Sequence, residues 1–330
     1  MTYSDDLYAI SYDKFKELVN KLCKNTSVFG PKLKKITSFE KIKNANELSL
    51  DKASDFPLKY LFFSDNEILF EFNGQEIKIP KINSEEKVII GARRCDLNSI
   101  TKQDKAFNNK FVDEYYNKRR ENTTFIGLHC VNGMDEHCFC ESLTDKDSKE
   151  LFDIMLYPRS DHYLVEVGSK KGEELLQKYK DFFEKSSYKL KPEDKIMNTN
   201  RLKTTNIAPL FTNKGWEDLA KKCTSCGACN LMCPSCYCFD ILDTVNFDLK
   251  SGTRIRKPAS CQMRCFTRLA GEGHFRDKKL ERYKHRIYHQ LQHFSERHGT
   301  NLCTGCGRCI RHCPNKIEFV NKINEMSGAK

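Results

Sequence analysis

From residue 223 to residue 238 the chain reads CTSCGACNLMCPSCYC. Eighty residues later part of the pattern returns as CTGCGRCIRHCP. Cys223, Cys226, Cys229 and Cys233-Pro234 thus correspond to Cys303, Cys306, Cys309 and Cys313-Pro314, an internal repeat of the form C-x2-C-x2-C-x3-C-P. A 4Fe-4S cluster takes one thiolate per iron. Cysteines at every third residue supply three of them from one tight loop, and in two-cluster ferredoxins the cysteine before the proline crosses to the other cluster. The spacing therefore predicts two 4Fe-4S clusters, one on Cys223, Cys226, Cys229 and Cys313 and the other on Cys303, Cys306, Cys309 and Cys233. Gly227 and Gly307 suit loops whose backbone passes close to the inorganic core, and Pro234 and Pro314 are placed to begin new helices. Zinc is the competing ligand for C-x-x-C pairs, but tetrahedral zinc sites usually join two such pairs or add histidine.

Nine of the seventeen cysteines remain. Cys23 falls on an amphipathic helix and reads as a small core residue. Cys95 follows the strand-like KVIIGA, Cys130 ends the strand-like TTFIGLHC, and Cys138 and Cys140 follow in NGMDEHCFC. If the two strands are parallel neighbours, their C-terminal ends form the edge where α/β folds place ligands. A third iron-sulfur centre on Cys95, Cys130, Cys138 and Cys140 is one reading, and buried free thiols are the other. A rival set draws Cys138 or Cys140 together with Cys236, Cys238 and Cys261. Cys236 and Cys238 are expected on a helix following the first cysteine run, either ligating an extra centre or packing against the first cube.

The elements that must position these groups change character along the 330 residues. SYDKFKELVNKLCK has helical spacing behind a capping Ser. YLFF at 60 to 63 and EILFEF at 67 to 72 read as strands, and Asn73-Gly74 before QEIKIP marks a hairpin. KVIIGA, the helix-like RRCDLNSITKQDKAF and TTFIGLHC form a parallel βαβ unit. HYLVEV and a charged helix follow. The expected fold is multidomain α+β: an α/β domain over 1–200, then a mainly helical two-cluster ferredoxin-like domain over 201–330.

Hydrophobic residues are 39% and charged residues 31% of the chain. No run approaches the roughly 18 apolar residues of a membrane span, and the acidic start lacks a signal-peptide pattern, so the expectation is a soluble cytoplasmic protein with no membrane contact. The net charge of +11 is concentrated between residues 254 and 311. It suits either anionic clusters or an acidic redox partner, and nucleic acid is not required.

Across GARRCDLNSI, HCVNGMDEHCFCES, CPSCYC, ASCQMRCF, AGEGHFRDKKLERYKHR and CTGCGRCIRHCP the chain resembles the dicluster iron-sulfur subunit of anaerobic sulfite reductase, a family related to the beta subunit of cytoplasmic nickel-iron sulfhydrogenases. Cys95, Cys130, Cys138, Cys140, Cys236, Cys238 and Cys261 match cysteines of that family, whereas Cys23 and Cys265 do not. The resemblance implies a non-catalytic electron-transfer subunit of an oxidoreductase complex. Electrons would come from a FAD/NAD-binding subunit that oxidises NADH and go to a sirohaem subunit that reduces sulfite to sulfide. The alternative is the hydrogenase beta subunit. The sequence agrees in having no G-x-G-x-x-G behind a strand and no P-loop. Two readings from other classes compete: a zinc-stabilised nucleic-acid binder, which would be colourless, and an enzyme using a reactive Cys or His such as His274, for which no partner is identifiable.

Overall fold

A computed structural model describes residues 6–82, 84–143, 152–195 and 198–329. Strand β1 (Leu7–Ser11) runs straight into helix α1 (Tyr12–Asn25), where the Ser11 hydroxyl accepts from the Lys14 N–H at 3.3 Å, the cap expected from the sequence. Phe15, Leu18, Val19 and Leu22 recur at helical spacing and bury one face of α1. Strands β2 (Ser27–Leu33) and β3 (Thr37–Lys41) form an antiparallel pair. The predicted strand at 60 to 63 is instead the end of a 3-10 turn, Leu58–Leu61. Leu58, Phe62 and Phe63 all enter one core, a placement that the two-residue period of a strand cannot give. The predicted hairpin is present as β4 (Glu67–Asn73) and β5 (Glu76–Lys78), with Gly74 at φ 60°.

Next come β6 (Lys87–Ala92), α2 (Arg94–Phe107), α3 (Glu114–Glu121), β7 (Thr123–Leu128), β8 (Ile154–Pro158), β9 (His162–Val167), α4 (Lys170–Lys178) and β10 (Glu184–Ser186). The large sheet runs β10-β1-β9-β8-β7-β6-β2-β3, with β2, β6, β7 and β8 mutually parallel. Its central strands are covered on both sides. Val88, Ile90, Ile126 and Leu156 face α1 and α4, while Ile89, Phe125, Met155 and Tyr157 face α2 and α3. That two-sided burial explains why these strands read as unbroken apolar runs rather than alternating ones.

The remainder holds α5 (Gly215–Lys222), α6 (Ala228–Leu231), strands β11 (Phe239–Val245) and β12 (Ser251–Pro258), α7 (Lys279–Tyr288), a π turn at His289–His293, α8 (Phe294–His298), α9 (Arg308–Arg311) and α10 (Phe319–Met326). The expectation of a mainly helical domain over 201–330 therefore needs correcting. β11 and β12 form a seven-pair hairpin, and β12 also pairs with β4, giving a second sheet β11-β12-β4-β5 built from both halves of the chain. No helix starts at Pro234 or Pro314; both lie in turns.

Polar contacts join the halves further. Lys102 Nζ donates to Thr300 Oγ1 at 3.2 Å, Gln103 Nε2 to the Pro234 carbonyl at 2.8 Å, and Arg308 Nε to the Ser54 carbonyl at 2.7 Å. Among the described residues no helix is long and apolar enough to cross a membrane.

Candidate iron-sulfur centres

The two cysteine runs fold alike. In the first, Cys223 ends α5, Ser225 N–H donates to Cys223 Sγ at 3.3 Å, and Gly227 (φ 80°) leads into α6. In the second, Gly305 N–H donates to Cys303 Sγ at 3.4 Å, and Gly307 (φ 71°) leads into α9. Ser225 and Gly305 share a positive φ, 56° and 67°. The internal repeat of the sequence is thus a repeat of backbone geometry, one that turns N–H groups toward sulfur.

Cys223, Cys226, Cys229, Cys233, Cys303, Cys306, Cys309 and Cys313 all line a single cavity, closed elsewhere by Phe139, Tyr283, Ile287, Leu291, Ile317 and Phe319. Burial pushes the Cys303 thiol up to about 12, and Cys233 and Cys306 are among its charged neighbours. Cys229 is raised to about 11 by burial, against the opposing Arg286. The buried Tyr283 hydroxyl has Cys229, Cys223, Cys309 and Cys313 around it. The cysteine before each proline therefore sits among the thiols of the other run. As free thiols, Cys229 and Cys303 would be protonated at neutral pH; metal coordination is what turns such thiols into thiolates.

Arg286 provides the fit test for an anionic cofactor. Its side chain is buried at 5% exposure, and its Nη2 donates to the Cys229 carbonyl at 3.0 Å. Nε and Nη1 find no hydrogen-bond partner, and among the described residues no carboxylate pairs with it. Its charged neighbours are Cys236, Cys233, Cys229 and Cys309. A buried, uncompensated guanidinium costs several kcal/mol, whereas clusters carrying four thiolates supply the missing negative charge. Among the described residues no three Cys, His, Asp or Glu side chains close around a point as one metal ion requires; a cube spreads its thiolates over four irons and asks for a wider cage.

The other cysteines divide into two groups. Cys95 opens α2 behind β6, Cys130 follows β7, and Cys138 and Cys140 lie in the loop beyond it. Burial pushes Cys95 well up; Asp96 adds to this and Arg308 opposes it, with Cys306 and Cys130 nearby. Cys140 is raised to about 12 by burial, with Cys138 and Cys130 as neighbours. These four border the second run, since Cys138 Sγ is 3.8 Å from the Cys306 carbonyl oxygen. Arg308 lies beside them, buried and paired with Asp96 at 2.9 Å, its Nη1 3.9 Å from Cys95 Sγ. The rival grouping with Cys236, Cys238 and Cys261 is not formed: those three gather around Asn230, beside Cys229. Cys236 and Cys238 occupy the coil that leads into β11 rather than a helix. Cys23 packs beside the core under α1, and Cys265 is exposed. His274 lies in an isolated bridge with Arg268.

Part of the basic stretch is interior: Arg256, Arg282, Arg286 and Arg308 are 3%, 7%, 5% and 1% exposed.

The second run is seated by close backbone approach. A Cβ at Gly305 would lie 2.5 Å from the backbone of Cys140, and one at Gly307 would lie 2.6 Å from that of His137. Gly305→Ala adds a left-handed penalty of about 1–2 kcal/mol to overpacking of similar size. The expected destabilisation is about 3 kcal/mol, read from anaerobic thermal unfolding. Gly299→Ala, with φ 72° but open space around it, should cost only the backbone share.

A cavity ringed by two three-plus-one cysteine loops, set against an α/β body, defines an iron-sulfur electron-transfer protein, and residues 222–317 match the family described as the 4Fe-4S dicluster domain. Over 331 aligned residues the chain is 34% identical to subunit beta of sulfhydrogenase 2 from Pyrococcus furiosus, covering 94% of this chain and 96% of that one. The chain belongs to this family of iron-sulfur beta subunits.

Proposed function

We propose that this chain is the electron-transfer beta subunit of a cytoplasmic hydrogenase of the sulfhydrogenase type. It would take electrons from a flavin-containing, NAD-binding partner and pass them to a separate catalytic subunit. The observation that carries the reading is the cavity lined by all eight repeat cysteines with the unpaired Arg286 guanidinium beside it. Cys223, Cys226, Cys229 and Cys313 would hold one cube; Cys303, Cys306, Cys309 and Cys233 would hold the other. Cys95, Cys130, Cys138 and Cys140 would hold a third centre. When bound, such clusters accept and release single electrons.

The chain's own groups do the tuning. The N–H groups of Ser225 and Gly305 point at the first sulfur of each run, and Arg286 and Arg308 place positive charge beside them. Each favours the reduced, more negative state and so raises the potential. The apolar wall of Phe139, Tyr283, Ile287 and Phe319 keeps water out and preserves those interactions.

Relay from an NADH-oxidising flavoprotein to a sirohaem sulfite reductase subunit is the second reading, supported by the sequence motifs. The similarity to the sulfhydrogenase protein favours the hydrogenase reading slightly. Anaerobic isolation from the native host tests both. The expected preparation is brown, contains iron and acid-labile sulfide, bleaches on reduction and co-purifies with hydrogen-evolving activity. Co-purification with sulfite-reducing activity alone would select the second reading, and zinc without iron or sulfide would end both.

A further inference from the structure

Cys236, Cys238 and Cys261 stay outside the eight-cysteine cavity and outside the group at Cys95. The β11–β12 hairpin is what gathers them. It leaves at Phe239 and returns at Pro258, which pair directly, and Ala259 N–H donates to the Cys238 carbonyl at 2.9 Å. Two cysteines far apart in sequence are thereby fixed at the base of one ladder. Cys236 and Cys261 are 6% and 3% exposed. Asn230 Nδ2 lies 3.3 Å from Cys261 Sγ, 3.6 Å from Cys236 Sγ and 3.9 Å from Cys238 Sγ, so one amide group reaches all three sulfurs.

Two buried cations face this set. Lys59, at 5% exposure, donates through Nζ to the Asn230 carbonyl at 2.9 Å and the Cys236 carbonyl at 3.2 Å; Arg286 counts Cys236 among its neighbours. Among the described residues neither has a carboxylate partner. The cubes already offset Arg286, but three neutral packing thiols would leave the buried Lys59 charge uncompensated. Thiolates fixed by a metal centre would offset it. Cys236 and Cys238 also line an opening to the outside, together with Tyr60, Cys226, Ser260 and Met263.

We propose that Cys236, Cys238 and Cys261 hold a further iron-sulfur centre bound by only three thiolates, one of whose irons takes a non-cysteine donor on the open side between Tyr60, Ser260 and Met263. The inference rests on the reading of the chain as an iron-sulfur protein and adds a centre of different coordination, next to the first cysteine run. An iron without a thiolate is the one released first on mild oxidation, leaving a three-iron cluster; irons held by four cysteines are retained.

Full-length protein purified without oxygen is treated with a slight excess of ferricyanide, and its EPR spectrum and iron content are followed. The expected result is a three-iron signal with loss of about one iron per chain, reversed by ferrous ion and dithiothreitol. In Cys261→Ser and Cys238→Ser the signal should vanish and total iron fall by about four, while the reduced spectra of the remaining cubes persist. Cys265→Ser, an exposed thiol outside the set, should keep both signal and iron. Absence of the three-iron signal from wild-type protein that does contain cubes overturns the proposal, as does its survival in both variants. One zinc per chain that leaves with Cys261→Ser overturns it too. If a variant fails to fold, the wild-type oxidation decides. Wild-type protein without any iron would instead sink the broader reading.

Discussion

Cys313→Ser is expected to remove the cube held mainly by the 223–229 loop and to leave the cube of the 303–309 loop in place. Cys313 lies a few residues beyond the second run, yet the Tyr283 hydroxyl has Cys313 around it together with Cys229, Cys223 and Cys309, and Cys233 is among the neighbours of Cys303, Cys306 and Cys309. Under the proposed crossed ligation, iron falls by about four per chain and one of two reduced EPR signals disappears. Cys233→Ser should remove the other. Loss confined to the 303–309 cube in Cys313→Ser would show that each run keeps its own fourth cysteine.

Arg286→Met should lower the midpoint potentials of the centres around it by about 100 mV. A unit charge about 7 Å away at an effective dielectric of about 20 is worth about 2 kcal/mol, which for one electron is about 100 mV. The sign follows from reduction adding negative charge: without the guanidinium the reduced state loses stabilisation and the potential becomes more negative. Methionine keeps most of the volume, so the shift separates charge from packing. Arg286→Lys, which retains the charge but loses the fork that reaches the Cys229 carbonyl, should move the potential far less. An EPR-monitored redox titration reads both, and an unchanged potential in Arg286→Met would remove this residue from the tuning of the clusters.

Arg286 also shows where the sequence stops being informative. KHRIYHQ looks like the polar face of an exposed helix, and nothing local says that its arginine is buried at 5% exposure. The eight repeat cysteines are easier to find because cubes impose a fixed spacing on the chain, and the structure gathers all eight around one cavity. Cys95 and Cys130 can be placed together since KVIIGA and TTFIGL carry the unbroken apolar signature of parallel strands, which pair as β6 and β7. The β11–β12 hairpin escapes sequence reading for the opposite reason. Every residue of β11 is exposed and β12 reads SGTRIRKP, so neither strand presents the apolar alternation by which a half-buried strand is recognised. Without the hairpin, the pairing of Cys238 with Cys261 is hidden too. A search for β-branched residues bracketed by the two cysteines would find it.

The second sheet takes strands from both halves of the chain, and this bears on modular reuse. A shortened protein beginning near residue 200 would strip β12 of its neighbour β4, deprive the Pro234 carbonyl of its donor Gln103 and unseat the Gly305 loop from Cys140. The redox half is therefore not expected to stand alone as a transplantable ferredoxin, because the α/β body supplies part of its frame.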